Sequence, residues 1–60
     1  MKNNKLTKAR EQKKWTLTEL SREAKVAWRT VDKAEKGQKI SRICQVKIAA
    51  ALDLAADDLF

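Results

Sequence analysis

The sequence predicts an all-α protein: a compact bundle of five short helices that forms one domain over residues 1–60. Apolar residues recur at spacings of three and four along most of the chain, which is the period of amphipathic helices. The alternation typical of strands is absent over any useful length. Proline is absent, and the single glycine, Gly37, follows a helical pattern as a stop signal. A chain of 60 residues buries only about 60% of its unfolded surface, so we expect a small core and modest stability.

The first helix is predicted over about residues 4–13. The residues that share its inward face are Leu6, Ala9, Arg10 and Lys13. An arginine in the middle of such a stripe needs an acceptor, preferably a carboxylate, when it is partly buried. We therefore expect Arg10 to pair with an acid.

The second helix is predicted over about residues 17–25. Thr16 and Glu19 form a capping-box pattern, in which the hydroxyl accepts from a free backbone N–H and the carboxylate reaches back. Trp15 stands just before this cap, where a hydrophobic residue commonly packs as an anchor. The predicted inward stripe is Leu17, Leu20, Ser21 and Ala24.

The third helix is predicted over about residues 28–36. Residues placed about 100° apart separate into two faces, with Trp28 and Glu35 on the border. The inner face holds Ala27, Thr30, Val31 and Ala34, and the outer face holds Arg29, Asp32, Lys33 and Lys36. Only residues 25–27 connect this helix to the second, which predicts a sharp turn and a helix-turn-helix arrangement.

The fourth helix is predicted over about residues 42–52, with Ser41 as its cap, and a short fifth over about 56–60. The fourth helix has two apolar stripes, one of Cys44, Ile48, Ala51 and Leu52, the other of Ile43, Val46, Ala49 and Ala50. A helix that is apolar nearly all round lies at the centre of a bundle or shares a face with a partner. In the last helix, Asp57 and Asp58 suit the positive end, and Leu59 can pack inward.

The charge is distributed unevenly. Residues 1–47 hold fourteen bases and five acids, a net charge of +9, whereas residues 48–60 hold three acids and no base, a net charge of −3. A small basic body favours a polyanionic partner, with nucleic acid first and a membrane surface second. The alternative is that the lysines only keep the domain soluble.

Other classes of function lack sequence support. The chain has no histidine, no glycine-rich loop and one cysteine, Cys44, which we expect to be a small buried hydrophobe. We therefore predict no enzyme, no cofactor, no metal site and no small-molecule substrate. No apolar region follows the initial MKNNKL and the apolar runs are short, so we expect no secretory signal, no membrane span and a cytoplasmic location.

Several short motifs then follow one another in a specific order. LTELSREAKVAWRTVDKAEKG covers residues 17–37, and KIAAALDLAADDLF covers residues 47–60. With an arginine in the first helix, they resemble the Cro/C1-type (XRE-type) helix-turn-helix DNA-binding domain over almost the whole chain. The resemblance implies a lambda-repressor-like bundle. It also implies sequence-specific binding of double-stranded DNA by a transcriptional regulator, a repressor, with the third helix in the major groove.

The resemblance assigns roles to individual residues. It implies base contacts from Trp28, Arg29, Asp32 and Lys33. It implies phosphate contacts from Thr16, Leu17, Thr18, Lys36, Gln38, Lys39 and Arg42. It also implies that Arg10 pairs with Glu35, which answers the question of the arginine on a core stripe.

Four positions depart from the family pattern. Leu17 stands where glutamine is common, and leucine has no side-chain amide to hold a phosphate. Lys25 replaces a turn glycine and Ala27 replaces a capping hydroxyl, at a cost of about 1 kcal/mol each. Ala34 replaces a larger aliphatic residue and leaves a gap for one of the two tryptophans. The departures predict a marginally stable domain, helped by dimerisation.

Several roles have alternatives. Arg29 and Lys33 either donate to guanine O6 and N7 or meet only phosphates, and we favour a base contact for at least one. Asp32 either accepts from cytosine N4 or, as we favour, pairs with Arg29 or Lys36. Trp28 either lies against a thymine methyl group or the sugar-phosphate chain, or covers the junction of the second and third helices.

The assembly has alternatives as well. One such domain reads only a few base pairs, so we expect a homodimer on an inverted repeat, with half-sites about one helical turn apart. The candidate dimer surface is the second stripe of the fourth helix with Leu59 and Phe60; alternatively, these residues only close the monomer core. The alternative function is a protein-interaction module, such as the DNA-binding antitoxin of a toxin–antitoxin pair.

Overall fold

A computed structural model describes residues 2–60, which form five α-helices and no strand. The helices are α1 (Asn4–Gln12), α2 (Leu17–Ala24), α3 (Trp28–Glu35), α4 (Arg42–Ala51) and α5 (Ala56–Leu59). The Cα atoms extend 23 × 20 × 20 Å. The all-α, five-helix fold is therefore confirmed. Each helix begins at the predicted residue and ends one residue early, because the final residue is its C-cap.

The core takes one large, fully buried side chain from each of the first four helices. These are Leu6, Leu20, Val31 and Ile48. Around them lie buried Ala24, Ala34, Ala49, Leu52, Ala56 and Leu59. Full burial of a large aliphatic side chain contributes about 1.5–3 kcal/mol, and alanine contributes much less. Four of the ten core residues are alanines, which agrees with the modest stability that the length predicts.

The helix caps explain where α1, α2 and α4 begin. The predicted capping box is present, since Glu19 N donates to Thr16 Oγ1 at 3.2 Å and Thr16 N donates to Glu19 Oε1 at 3.3 Å. Ser41 Oγ accepts from Cys44 N at 3.3 Å, as predicted. Asn3, which the sequence analysis did not identify, caps α1 and donates through Nδ2 to Leu59 O at 2.7 Å. This bond joins the start of α1 to α5.

The turn between α2 and α3 depends on a left-handed residue. Lys25 has φ 58° and ψ 42°, so the lysine adopts the conformation expected of the glycine it replaces. Val26 N then donates to Ser21 O at 3.0 Å, which closes the turn and lets α3 pack against α2. Lys14 and Asp53 also have positive φ, of 59° and 58°, at the ends of α1 and α4. The left-handed conformation costs a residue with a Cβ about 1–2 kcal/mol.

Some expected inward positions are wrong. Lys13 is exposed, because its ammonium lies 5.4 Å from the Trp15 ring centroid and 3.2 Å from Asp53 Oδ2 at the surface. Ala27 is exposed because it is the extended N-cap residue, so the helical face rule does not apply to it. Cys44 is half-buried rather than buried, since it lies at the edge of the inward face of α4.

The two apolar stripes of α4 have different environments. Ile48 and Leu52 are buried, as the first stripe predicts. In the second stripe only Ala49 is buried, whereas Ile43, Val46 and Ala50 are exposed because no other element among residues 2–60 covers that side. No helix within residues 2–60 has the length and apolarity needed to cross a bilayer.

Candidate nucleic-acid interface

The two sides of α3 have different environments. Val31 and Ala34 are buried and fix the helix to the core. Arg29 and Lys33 are exposed on the other side, one helical turn apart. The side chains thus separate as the sequence predicts, with a cationic face toward solvent.

Asp32, the acid on this face, is paired within the helix. Its Oδ2 lies 3.0 Å from Lys36 Nζ, in the i,i+4 arrangement. This is one of the two internal pairs that the sequence predicts for Asp32. Within residues 2–60, neither Arg29 nor Lys33 forms an ion pair. The outer face of α3 therefore presents two cations whose charges no neighbouring acid offsets by direct contact.

Trp28, the first residue of α3, is 53% exposed. The guanidinium carbon of Arg29 lies 5.9 Å from the centroid of the indole ring, within cation–π distance. Trp15, by contrast, is half-buried and packs against the core, as its predicted anchoring role requires. Trp15 therefore lies beside the core, whereas Trp28 belongs to the solvent-facing side of α3.

The start of α2 contributes two exposed hydroxyls and one apolar residue. Thr16 and Thr18 are exposed, whereas Leu17 is half-buried against the core. The Leu17 side chain therefore serves packing. Leu17 can contribute to an anion site only through its backbone N–H, because the first N–H groups of a helix have no intrahelical partner.

The segment after α3 projects further polar groups. Gly37 has φ 83°, and Gln38 N donates to Lys33 O at 2.9 Å, which ends the helix in a tight turn. The Gln38 and Lys39 side chains are exposed. Lys39 forms no ion pair within residues 2–60, so its ammonium is available to a phosphate.

Arg42 differs from the other phosphate candidates because it already has an acidic partner. Its Nη2 lies 3.2 Å from Asp57 Oδ1 of α5, and its Nη1 donates to Gln45 Oε1 at 3.4 Å. Both members of the ion pair are exposed, so the pair contributes at most about 1 kcal/mol. A phosphate has to compete with Asp57 for this guanidinium, and the sequence analysis did not anticipate that contact.

The Arg10–Glu35 pair is present and positions α3. Arg10 Nε donates to Glu35 Oε2 at 2.7 Å, and Nη2 donates to Oε1 at 3.2 Å. The side chains are only 17% and 12% exposed. The hydrogen bond to Glu35 raises the pKa of Arg10 above its ordinary value, against the opposing effect of burial. The predicted pair is therefore present and partly buried.

Further bonds extend this pair into a network. Arg10 Nη1 donates to Trp15 O at 2.8 Å, and Thr7 Oγ1 donates to Glu35 Oε1 at 2.9 Å. The backbone N–H of Asn3 donates to Glu35 O at 2.9 Å. Thr7 stands one turn before Arg10 on the same helix face, and that spacing was a signal that could have identified it. The network joins α1, the turn before α2 and the end of α3, so it fixes the direction of the cationic face.

Comparisons of this chain with protein-family models, with curated proteins and with solved structures gave no match.

Proposed function

We propose that the chain binds double-stranded DNA sequence-specifically and acts as a transcriptional regulator, a repressor, with α3 in the major groove. The observation that carries this proposal is the outer face of α3. Arg29 and Lys33 are exposed there without an ion pair to any of residues 2–60, while Val31 and Ala34 hold the opposite face in the core. The major groove of B-DNA admits an α-helix, and arginine and lysine match the acceptors of guanine.

The charges around α3 support a polyanionic partner. Lys36 offsets Asp32 by direct contact, so the acid does not oppose the approach of phosphates as strongly as a free carboxylate does. Lys39 and the exposed hydroxyls at the start of α2 flank the helix in sequence on either side. In this arrangement Thr16, Thr18, Gln38 and Lys39 meet phosphates and set the register, and Leu17 contributes only its backbone. Arg42 contributes after exchanging Asp57 for a phosphate, and Lys36 contributes while it keeps its contact with Asp32, because an ammonium has three N–H donors.

Within the groove, Arg29 and Lys33 supply the sequence discrimination. Arg29 donates to guanine O6 and N7 through two bonds, and Lys33 contacts a base one helical turn further along α3. Asp32 keeps its partner Lys36 instead of accepting from cytosine N4, because the internal pair is already formed in the free protein.

The exposed side of α4 supports assembly of the regulator as a homodimer on an inverted repeat. Ile43, Val46 and Phe60 are large apolar residues exposed to solvent. Leu59 and Ala49 are excluded from this dimer surface, because both are buried in the monomer core. The dimer surface that we propose therefore consists of Ile43, Val46, Ala50 and Phe60, which is smaller than the sequence predicts.

The same apolar surface favours a second candidate function. Ile43, near the start of α4, is 69% exposed, and Leu54, which follows the end of α4, is also exposed. An apolar surface of this kind can bind a different protein, for example the toxin of a toxin–antitoxin pair. This candidate differs from the first in what α4 contacts and in whether α3 contacts DNA at all.

The dependence of affinity on salt tests the proposal. A chain that contacts several phosphates binds random duplex DNA with an affinity that falls by orders of magnitude between about 50 and 200 mM salt. We expect that fall for the wild-type chain and a shallower one for Lys36→Ala/Lys39→Ala, which removes two of the proposed phosphate contacts. Lys5→Ala/Lys8→Ala removes the same charge from exposed positions of α1 and is the matched control. An affinity that is absent in dilute buffer, or that does not respond to salt, favours the protein partner instead.

A further inference from the structure

Trp28 is the large apolar side chain at the start of the cationic face. Its ring is 53% exposed and adjoins the guanidinium of Arg29, at 5.9 Å from the ring centroid. Side chains at the start of a helix point back toward its N-terminus. In a helix that enters the major groove, that end is the one whose residues reach the base edges. Trp28 and Arg29 therefore stand together at the end of α3 that meets bases.

The major groove offers one apolar group to such a ring. Guanine, cytosine and adenine present donors and acceptors there, whereas thymine presents a C5-methyl group beside its O4 acceptor. An indole has a broad apolar surface and a single N–H donor, so it is suited to the methyl group and poorly suited to a polar base edge. Arg29 has the opposite preference, since its guanidinium matches O6 and N7 of guanine.

We propose that Trp28 and Arg29 read two neighbouring base pairs as a unit, with Trp28 on a thymine methyl group and Arg29 on a guanine. The inference rests on the proposed function and specifies part of the recognised sequence. The cation–π contact holds the guanidinium beside the indole before DNA binds. That contact reduces the side-chain freedom that binding has to remove. The separation of 5.9 Å between the guanidinium and the ring centroid is larger than the spacing of about 3.4 Å between adjacent base pairs and smaller than two such steps, so the two groups can reach adjacent base pairs together.

The test uses duplexes selected by the wild-type chain from a random pool. We expect each selected half-site to contain a guanine with a thymine in the neighbouring base pair. Replacing that thymine with deoxyuridine removes only the methyl group and preserves base pairing. The wild-type affinity should then fall about threefold to fourfold, which is the effect of one buried methyl group. This comparison requires no change in the protein.

The variants assign the effect to Trp28. In Trp28→Ala we expect thymine and uracil duplexes to bind equally. In Lys33→Ala the affinities for the thymine and uracil duplexes should both fall, while the ratio of the two affinities stays at the wild-type value. In Lys8→Ala this ratio should also be unchanged. Equal binding of the two duplexes by the wild-type chain, or a ratio that survives in Trp28→Ala, would overturn the inference. A selected site without thymine beside guanine would overturn it as well. In all three cases selected DNA is still bound, so the proposed function stands; a chain that binds no duplex removes both.

Discussion

Glu35, the last residue of α3, accepts two hydrogen bonds from Arg10 of α1, at 2.7 and 3.2 Å. The carboxylate also accepts from Thr7, and its own backbone carbonyl accepts from Asn3 N. The end of α3 is thus held by α1 and by Asn3, the N-cap residue of α1. Because the outer face of α3 carries Arg29 and Lys33, the same network sets the angle at which those cations leave the protein.

Removing either member of this pair is expected to destabilise the fold. Arg10→Ala leaves Glu35 largely buried without its charged partner, and a loss of this kind costs about 3–5 kcal/mol when burial is complete. Since the side chains retain 17% and 12% exposure, we expect a loss near the lower end of that range. Urea denaturation of Arg10→Ala and Glu35→Ala, followed by circular dichroism, measures the change in the free energy of unfolding.

The control for this prediction is the exposed pair on α3. Asp32→Ala breaks the contact with Lys36, whose side chain is 60% exposed, and should cost under about 1 kcal/mol. The double variant Arg10→Ala/Glu35→Ala should lose less than the sum of the two single variants, because no unpaired charge remains. Simple additivity would show that the pair is not energetically coupled.

Lys25→Gly is expected to stabilise the protein. The residue has φ 58°, a conformation that costs a side chain with a Cβ about 1–2 kcal/mol and costs glycine nothing. Glycine also gives the unfolded chain more freedom, worth about 0.4–1 kcal/mol, so the net gain should be about 0.5–1 kcal/mol. For a domain of this size, that gain raises the melting temperature by roughly 2–8 °C. Lys8→Gly, in the middle of α1, should instead lower the melting temperature. A lower melting temperature for Lys25→Gly would contradict the left-handed assignment.

Ala27→Ser is expected to stabilise α3. Ala27 is the extended N-cap residue and provides no side-chain acceptor to the first turn. A serine hydroxyl at that position can accept from a free N–H, which contributes about 1 kcal/mol. Thermal unfolding checks the gain. Ala27→Val is the matched control at the same position, because valine has no side-chain acceptor and caps no better than alanine. Equal effects of the two substitutions would mean that the serine at 27 does not cap.

The elements that the sequence predicts best are those that depend on local chemistry. The capping box at Thr16 and the cap at Ser41 follow from residues within one helical turn of each other, whereas the left-handed Lys25 was expected from the family resemblance. The inner face of α3 follows from the helical period, and Val31 and Ala34 are buried as expected. The Arg10–Glu35 pair spans 25 residues, so the unpaired arginine indicated only that an acid was needed, and the family resemblance indicated which one.

The remaining features depend on which surfaces the fold covers, which local patterns do not determine. Ile43 and Val46 have the same apolar character as Ile48, but only Ile48 faces the other helices. Arg42 meets Asp57 because α5 folds back beside the start of α4, a long-range placement with no local signal. Trp28 lies on the border between the inner and outer faces of α3. It is exposed because no other helix within residues 2–60 covers that border.

Base-reading and phosphate-contacting residues should respond differently to substitution. Arg29→Ala and Lys33→Ala are each expected to weaken binding to the selected site by about 1–3 kcal/mol and to change binding to random DNA much less. Lys39→Ala should weaken binding to both DNAs alike and reduce the slope of log affinity against log salt by about one. Fluorescence anisotropy with labelled duplexes measures both quantities. If Arg29→Ala and Lys33→Ala lower both affinities equally, these residues contact phosphates only.

The exposed face of α4 gives the last prediction. Ile43 is the most exposed of the large apolar residues, so Ile43→Arg should leave the monomer fold unchanged and place a charge in the proposed dimer surface. Binding to a duplex with two half-sites should lose its cooperativity, because the second copy no longer gains contacts from the first. Binding to a single half-site should be unchanged, which makes that duplex the internal control, and sedimentation velocity of the free protein reports the loss of dimer directly. If Ile43→Arg binds both duplexes as the wild type does, the second copy contacts another surface. The exposed apolar face of α4 is then a candidate binding site for a different protein.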